Sequence, residues 1–306
     1  MNSFCKYRLE LADGSAWALA ATEGVSAWLH ELAGIMGLRP GGDNWTHKIS
    51  FSGAGDFNSL ESPEEIRGRQ VDDNGWRLFR QGGIYRLWRH ETIPEVYMEL
   101  NEEFVKHAEI RYINMWSALR ELYRHALATG GTPIHAALAE IDGRGVLIAG
   151  AAETGKSTCY RRLPGYWNAL CDDQALIVRD GKGDYMVHPF PTWSDHLWRE
   201  SKKSWNVEKA VPLSAIFFLE QSSTDEAVPV NEPADAVLMF FGAAKQVWES
   251  AWERMGSNEK REQSSALFHN ASEMAGVVPA YRLRATLDGK FWKEMERVSV
   301  PQSINY

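Results

Sequence analysis

The segment that most constrains how this chain folds is Gly150-Ala-Ala-Glu-Thr-Gly-Lys-Ser157, which satisfies the pattern G-x-x-x-x-G-K-[ST]. An apolar run, Val146-Leu-Ile, precedes the segment, and a stretch compatible with a helix begins at Lys156. A strand that leads through a glycine-bounded loop into a helix is the context in which this pattern binds phosphate. The sequence therefore predicts a βα unit inside an α/β domain.

The chemistry of this loop fits a nucleotide. Backbone N–H groups of the loop and of the helix start can surround phosphate oxygens. The Lys156 ammonium can reach the β- and γ-phosphates, and the Ser157 hydroxyl can bind Mg²⁺, a hard cation that prefers oxygen. The alternative is a glycine-bounded turn that binds nothing. The candidate nucleotide contacts are Gly150, Ala151, Ala152, Glu153, Thr154, Gly155, Lys156, Ser157 and Thr158.

A pair of carboxylates, Asp172 and Asp173, follows 16 and 17 residues after Lys156. Two adjacent carboxylates repel each other unless a metal ion or a cationic neighbour offsets the repulsion. Enzymes with a phosphate loop use such an acidic residue to hold Mg²⁺ or to orient the attacking group. The alternative is a turn in which one aspartate caps the loop before Ala175. We name Ser157 and Asp172 as candidate Mg²⁺ ligands.

The helix after the loop is predicted to be short, because Pro164-Gly165 breaks it about two turns after Lys156. Ordinary GTPases and AAA-type ATPases carry a longer helix and place their acidic strand much further along the chain. The spacing therefore indicates a compact family of a different kind.

The order and spacing of these residues resemble the HPr kinase/phosphorylase family. That family has a histidine fifteen residues before the first loop glycine, then G-x-x-G-x-G-K-S, then an aspartate pair. Here His135 lies fifteen positions before Gly150, a turn at Asp142-Gly143 lies between them, and Asp172-Asp173 follows. The resemblance covers residues 133–220 well and the tail to 297 loosely. It is similar in particular to HPr-kinase-related proteins encoded beside peptide-modifying enzymes, among them the SynChlorMet cassette protein.

The resemblance implies an HPr-kinase-like (PEP-carboxykinase-like) phosphate-loop domain and a catalytic set of four residues. Lys156 would hold the phosphates, and Asp173 would accept the proton of a substrate serine hydroxyl. Asp172 would support Asp173, and His135 would lie near Asp173 and the transferred phosphate. ATP and Mg²⁺ are the implied cofactors.

The chain also departs from that family at identifiable positions. Glu153 stands where the family has the middle glycine of the loop. The family's metal-binding glutamate has no recognisable counterpart, although Asp195 and Glu200 lie in the corresponding region. The arginine linked to the reverse, phosphorolytic reaction has no clear counterpart either, and the first ~130 residues do not resemble the N-terminal domain of HPr kinases.

A domain boundary is predicted at Gly130-Gly-Thr-Pro133, because glycine and proline end the strong helical pattern of residues 110–127. Residues 1–130 are predicted to form an α+β accessory or recognition domain. Residues 131–306 are predicted to form the nucleotide-binding domain.

Charge, hydropathy and cysteine content exclude several classes of partner. Lys and Arg number 33 against 41 Asp and Glu, a net charge of −8, so we expect no binding to nucleic acid. No run reaches the ~18 apolar residues of a membrane span, and the N-terminus carries no signal-peptide pattern. Three cysteines without a C-x-x-C pair favour a reducing compartment. We therefore predict a cytoplasmic protein that does not bind membranes.

An aromatic segment follows the aspartate pair. The segment from His188 to Trp198 is stiffened by two prolines, and either lines a peptide or adenine pocket or packs as a loop. The cluster Trp193, Trp198 and Trp205 is a candidate peptide-binding wall. Most of the 13 tryptophans are nevertheless expected in the core, because tryptophan is largely buried on average.

These patterns predict an enzyme, a kinase that uses ATP and Mg²⁺ to transfer the γ-phosphate to a Ser or Thr hydroxyl of a peptide or small protein. Residues 1–130 would help to recognise that substrate. Two alternatives stay open: a catalytically weak nucleotide-binding scaffold that regulates a peptide-modification complex, and a small-molecule kinase. The family resemblance also points to a homo-oligomer.

Overall fold

The computed structural model describes residues 4–41, 44–54, 75–81, 83–151, 153–199, 201–253 and 255–299. Within these residues the chain forms two compact units. The first contains the described residues of Met1–Leu122 together with those of Trp193–Glu208, and the second contains the described residues of Tyr123–Thr192 and of Lys209–Tyr306. The sequence placed one boundary at residue 130 and did not foresee that residues 193–208 belong with the first unit.

The strands are β1 (Cys5–Glu10), β2 (Ala16–Ala21), β3 (Arg39–Pro40), β4 (His47–Ala54), β5 (Trp76–Gln81), β6 (Tyr85–His90), β7 (Glu95–Asn101), β8 (Thr132–Ile141), β9 (Arg144–Ala149), β10 (Asn168–Cys171), β11 (Gln174–Arg179), β12 (Tyr185–Phe190), β13 (Val211–Gln221), β14 (Glu226–Pro229) and β15 (Ala280–Ala285). The helices are α1 (Ser26–Met36), α2 (Glu102–Val105), α3 (Ala108–Ala128), α4 (Lys156–Arg162), α5 (Trp193–Arg199), α6 (Pro233–Trp252), α7 (Ser257–Ala275) and α8 (Phe291–Ser299). The predicted α/β class is confirmed.

The first unit is built on a mixed sheet with the strand order β3-β1-β2-β4-β7-β6-β5. The pairs β2–β4 and β4–β7 are parallel, and the outer pairs are antiparallel. Helix α1 provides the crossover between the parallel strands β2 and β4, and it buries its apolar face. It ends at Gly37, whose φ of +66° is the left-handed cap that glycine adopts at low cost.

Residues 193–208 pack against the end of α1. The backbone N–H of Trp205 donates to the carbonyl oxygen of Ile35 at 2.8 Å. The backbone N–H of Val207 donates to the carbonyl oxygen of Met36 at 3.4 Å. Trp193 and Trp205 are buried, whereas Trp198 is 71% exposed. The predicted peptide-binding wall is therefore wrong for Trp193 and Trp205, because their rings fill the core of the first unit.

In the second unit, two long strands are shared between two sheets. Strand β8 pairs with β9 along one edge and with both β10 and β11 along the other. Strand β13 pairs with β9, β12 and β15. Since β11 also pairs with β12, the strands β8, β11, β12, β13 and β9 form a closed circuit.

The core of the second unit lies beneath the strands that carry the predicted loop. Buried apolar side chains from β8, β9, β13 and β15 pack with α8, including Ile148, Phe217, Leu283, Phe291 and Met295. The strands β9, β13 and β15 run parallel to one another, so their carboxyl ends meet at one edge of the sheet. Ligands of α/β sheets bind at such an edge.

Several elements differ from the sequence-based expectations. Strand β10 and helices α5 and α7 were not predicted, because α7 has a weak apolar stripe and the other two are short. The seven-residue strand β7 was also missed, although its burial alternates along the strand. Gly242, a residue type that disfavours a helix interior, lies inside a continuous α6. In the described part of the chain, every helix is too short or too polar to cross a lipid bilayer.

Candidate functional site

The predicted phosphate loop connects strand β9 to helix α4. Strand β9 is buried and ends at Ala149, and α4 begins at Lys156 with Gly155 as its N-cap at φ +103°. The Thr154 hydroxyl donates to the carbonyl oxygen of Ala151 at 2.8 Å and closes the loop. Ala152 lies outside the described residues.

Glu153 also has a positive φ, +64°. An L-residue with a Cβ pays a conformational cost there that glycine avoids. The position thus has a backbone conformation that glycine adopts at low cost, although it carries a carboxylate. The Glu153 side chain is exposed.

The Lys156 side chain is bound back onto the loop. Its Nζ donates to the carbonyl oxygens of Gly150 and Ala151, both at 2.9 Å, and the residue is only 6% exposed. Burial lowers the pKa of Lys156, and the negative charge of Asp173 opposes that shift. The structure therefore brings the lysine and the second aspartate into electrostatic contact.

Strand register explains how three separate parts of the sequence meet. On one edge of β8, Ala136 pairs with Ala149, so His135 lies level with the first loop glycine. On the other edge, His135 pairs with Gln174, the residue after Asp173. Adjacent strands are about 4.8 Å apart. The aspartate pair and the loop therefore lie on either side of β8, roughly 10 Å apart.

The aspartate pair interrupts a strand instead of forming a hairpin. Both β10 and β11 run antiparallel to β8, with Cys171 opposite Leu138 and Gln174 opposite His135. The Cys171 thiol donates across the interruption to the Gln174 carbonyl oxygen at 2.9 Å. Complete burial raises the pKa of Cys171 to about 12. The thiol thus stays protonated and acts as a donor, not as a nucleophile.

His135 and Asp173 form a direct contact, with 3.2 Å between Nδ1 and Oδ1. Burial, helped by the charge of Lys156, lowers the pKa of His135 to about 4. The imidazole is therefore neutral at neutral pH, and a hydrogen bond with the Asp173 backbone partly opposes this shift of the pKa. The contact places the imidazole beside the Asp173 carboxylate, whose side chain remains 29% exposed and accessible to a substrate.

Asp172 is bound by a residue that the sequence did not single out. The Thr192 hydroxyl donates to Oδ1 of Asp172 at 2.5 Å. Thr192 is 3% exposed. The sequence holds a signal for it in Asp180-Gly-Lys-Gly-Asp184, a turn pattern typical of a hairpin. Strands that pair symmetrically about this turn place residue 192 opposite residue 172.

A cavity of about 410 Å³ adjoins the loop at the carboxyl ends of the parallel strands. Its lining residues are Glu153, Thr154, Gly155, Thr158, Cys159, Arg162, Leu219, Gln221, Ser222, Ala285, Thr286 and Leu287. Arg162 on α4 adds a positive charge, and its guanidinium donates to the carbonyl oxygens of Thr286, at 3.2 Å, and Gly289. Burial raises the pKa of Cys159 to about 11, so this thiol is also protonated. The sequence did not indicate Arg162, Gln221 or Thr286.

The oxygen donors of the site fit Mg²⁺. Ser157 offers a hydroxyl and Asp172 a carboxylate, and Mg²⁺ in nucleotide sites uses one or two protein ligands, with phosphate and water completing its shell. Among the described residues, no three His, Cys, Asp or Glu side chains converge as they would in a site made by protein alone. Asp195 belongs to the first unit and pairs with Arg199 at 3.2 Å, and Glu200 lies outside the described residues.

Comparison with known proteins yields a family model and matches to solved structures. A family model described as the SynChlorMet cassette protein ScmC matches residues 97–300, which is more than half of the chain. No curated protein matches. A solved structure of the Hpr(Ser) kinase/phosphatase from Coxiella burnetii is similar at 16% sequence identity, covers 32% of this chain and 75% of its own, and has a TM-score of 0.22.

Proposed function

This chain belongs to the SynChlorMet cassette protein ScmC family, and we propose that it is an ATP- and Mg²⁺-dependent kinase that phosphorylates a Ser or Thr hydroxyl of a peptide or small protein. The observation that carries the proposal is the register of β8. It brings a lysine of the phosphate loop, a neutral histidine and an accessible aspartate into one site.

Lys156 is the phosphate-binding cation. Its ammonium now donates to two loop carbonyl oxygens, Gly150 and Ala151. Phosphate oxygens carry more negative charge than carbonyl oxygens and bind an ammonium more strongly. Incoming β- and γ-phosphates therefore replace the carbonyl partners, and the loop N–H groups bind the remaining oxygens.

Asp173 is the proton acceptor for the substrate hydroxyl. Phosphoryl transfer depends mostly on positioning and on charge stabilisation, so a carboxylate that orients the hydroxyl is sufficient. His135 lies beside this carboxylate, with 3.2 Å between Nδ1 and Oδ1. Because its pKa is low, His135 does not compete for the proton at neutral pH.

Ser157 and Asp172 would hold Mg²⁺ through oxygen. When bound, the ion neutralises charge on the phosphate oxygens that develops during transfer. The two ligands come from opposite sides of β8, one from the loop and one from the interrupted strand.

The cavity beside the loop would accept the nucleoside. Its volume of about 410 Å³ lies within the roughly 300–1,000 Å³ typical of small-molecule sites. It combines apolar walls at Leu219 and Leu287 with polar groups at Gln221 and Thr286. Such a mixture suits a base and a ribose.

One observation supports the scaffold alternative. Glu153 lines the same cavity beside the phosphate loop, and its carboxylate repels phosphate. A chain with this residue could bind nucleotide weakly and regulate a peptide-modification complex without transferring phosphate. The acceptor identity and the homo-oligomer stay predictions.

Two measurements separate the possibilities. Calorimetric titration with ATP and Mg²⁺ is expected to show saturable binding, and its absence would refute the phosphate-loop assignment. Incubation with γ-labelled ATP is then performed with the precursor peptide encoded beside the gene, with free serine, or with neither. Label in the peptide alone supports the kinase, label in serine supports the small-molecule kinase, and binding without transfer supports the scaffold.

A further inference from the structure

Thr192 reaches Asp172 through the register of a neighbouring strand pair. Strands β11 and β12 are antiparallel, with Gln174 opposite Phe190. Continuing this register by two residues places Thr192 opposite Asp172, where the hydroxyl donates to Oδ1 at 2.5 Å. The contact therefore lies in continuation of the hairpin register, two residues beyond its last paired residues.

The bond restricts the carboxylate of Asp172. A hydroxyl that donates to one carboxylate oxygen fixes the plane of the group and leaves Oδ2 as the oxygen that can face a cation. Thr192 is 3% exposed, so water does not readily replace its hydroxyl. Groups that hold a metal ligand in this way tune metal affinity without touching the metal.

We infer that Thr192 is a positioning residue for Asp172 and that its hydroxyl raises the affinity of the site for Mg²⁺. The inference rests on the proposed function for the identity of the cation.

The hydroxyl is tested with the pair Thr192→Val and Thr192→Ser in the full chain. Binding of Mn²⁺ in the presence of ATP is followed by electron paramagnetic resonance, and ATP binding in EDTA by calorimetry. Thr192→Val, which keeps the shape and removes the hydroxyl, is expected to weaken Mn²⁺ binding by about tenfold. Thr192→Ser keeps the affinity, and neither variant changes metal-free ATP binding.

The outcomes distinguish this inference from the proposed function. If wild type binds Mn²⁺·ATP and Thr192→Val binds it equally well, the inference fails while the proposed function stands. If Thr192→Ser is as impaired as Thr192→Val, the effect comes from packing and the positioning role is overturned. If wild type binds no Mn²⁺·ATP, both fail.

Discussion

The phosphate loop and the aspartate pair belong to one site but are built in different ways. The loop is held by contacts between residues that are close in sequence. Its glycines, lysine and serine hydroxyl all lie within residues 150–157, and the hydrogen-bond partners of Lys156 lie five and six residues before it. The aspartate pair is non-local. Asp173 depends on His135, 38 positions earlier, and Asp172 depends on Thr192, 20 positions later.

This difference predicts a separation of functions. Local structure survives changes elsewhere, so the loop is expected to bind nucleotide whether or not the aspartates are correctly placed. Positioning of the aspartates needs the register of β8, β11 and β12, so the transfer step is the more fragile property. Variants of the aspartates that reduce nucleotide binding and phosphate transfer equally would contradict this separation.

The largest effect is expected for Lys156→Ala. Removing the ammonium weakens ATP binding and also removes stabilisation of the transferring phosphoryl group, so kcat/KM falls by about 10³-fold or more. Calorimetry and labelled-phosphate transfer measure the two losses. Lys182→Ala, in the exposed turn of the β11–β12 hairpin, is the control and should match wild type. Intact transfer in Lys156→Ala would refute the site assignment.

Asp173→Asn is expected to separate binding from transfer. The amide keeps the shape of the side chain but cannot accept the hydroxyl proton, so kcat falls by about 10²-fold. The dissociation constant for ATP should stay close to that of wild type. Asp184→Asn, at an exposed turn, controls for loss of one negative charge. Loss of ATP binding in Asp173→Asn would mean that the aspartate belongs to the loop's function, against the separation.

Glu153→Gly is expected to strengthen the binding of ATP by the loop, whereas the two preceding variants weaken binding or transfer. The substitution removes the conformational cost of a positive φ at a residue with a Cβ, and it removes a carboxylate beside the phosphates. ATP is therefore expected to bind roughly threefold more tightly. Asp142→Gly is a matched control, because Asp142 has a φ of +50° in the β8–β9 turn. Tighter binding in both variants would indicate a general effect of backbone strain.

The smallest effect concerns the titration of His135. NMR of the unliganded protein is expected to give this imidazole a pKa of about 4, because burial and Lys156 disfavour its cation. The pKa should rise in Lys156→Ala, while Lys182→Ala leaves it unchanged. A histidine that titrates near 6.5 would show that it does not lie buried beside the lysine.

The same shift links His135 to stability. The folded pKa lies below the usual 6.5, so the unfolded chain takes up the proton first as the pH falls. The lowered pKa of His135 therefore adds to the free energy of unfolding. That addition is fully present above about pH 6.5 and is lost as the pH falls towards 4. Urea unfolding of wild type and of His135→Gln, compared between these pH values, measures it. A stability difference that does not change with pH would contradict the shift.

Much of the second unit could be predicted because its signals are local. The hairpin turns at 142–143 and 180–184 and the breakers after α4 are encoded by consecutive residues, and the structure has these elements. Strand β10 was missed because four residues carry no clear period. Helix α5 was missed because its tryptophans were interpreted as a binding surface, whereas Trp193 packs inward and Trp198 does not.

The sequence by itself predicted the loop at residues 150–157, because eight consecutive residues specify both its backbone and its charge. It also indicated the aspartate pair through its spacing from the loop, and His135 through the resemblance to the HPr kinase/phosphorylase family. Only the tertiary structure decided their relationship. The register of β8 brings His135 to Asp173, that of β11 and β12 brings Thr192 to Asp172, and burial beside Lys156 keeps the histidine neutral. Register depends on pairing between distant strands, and consecutive residues alone do not contain it.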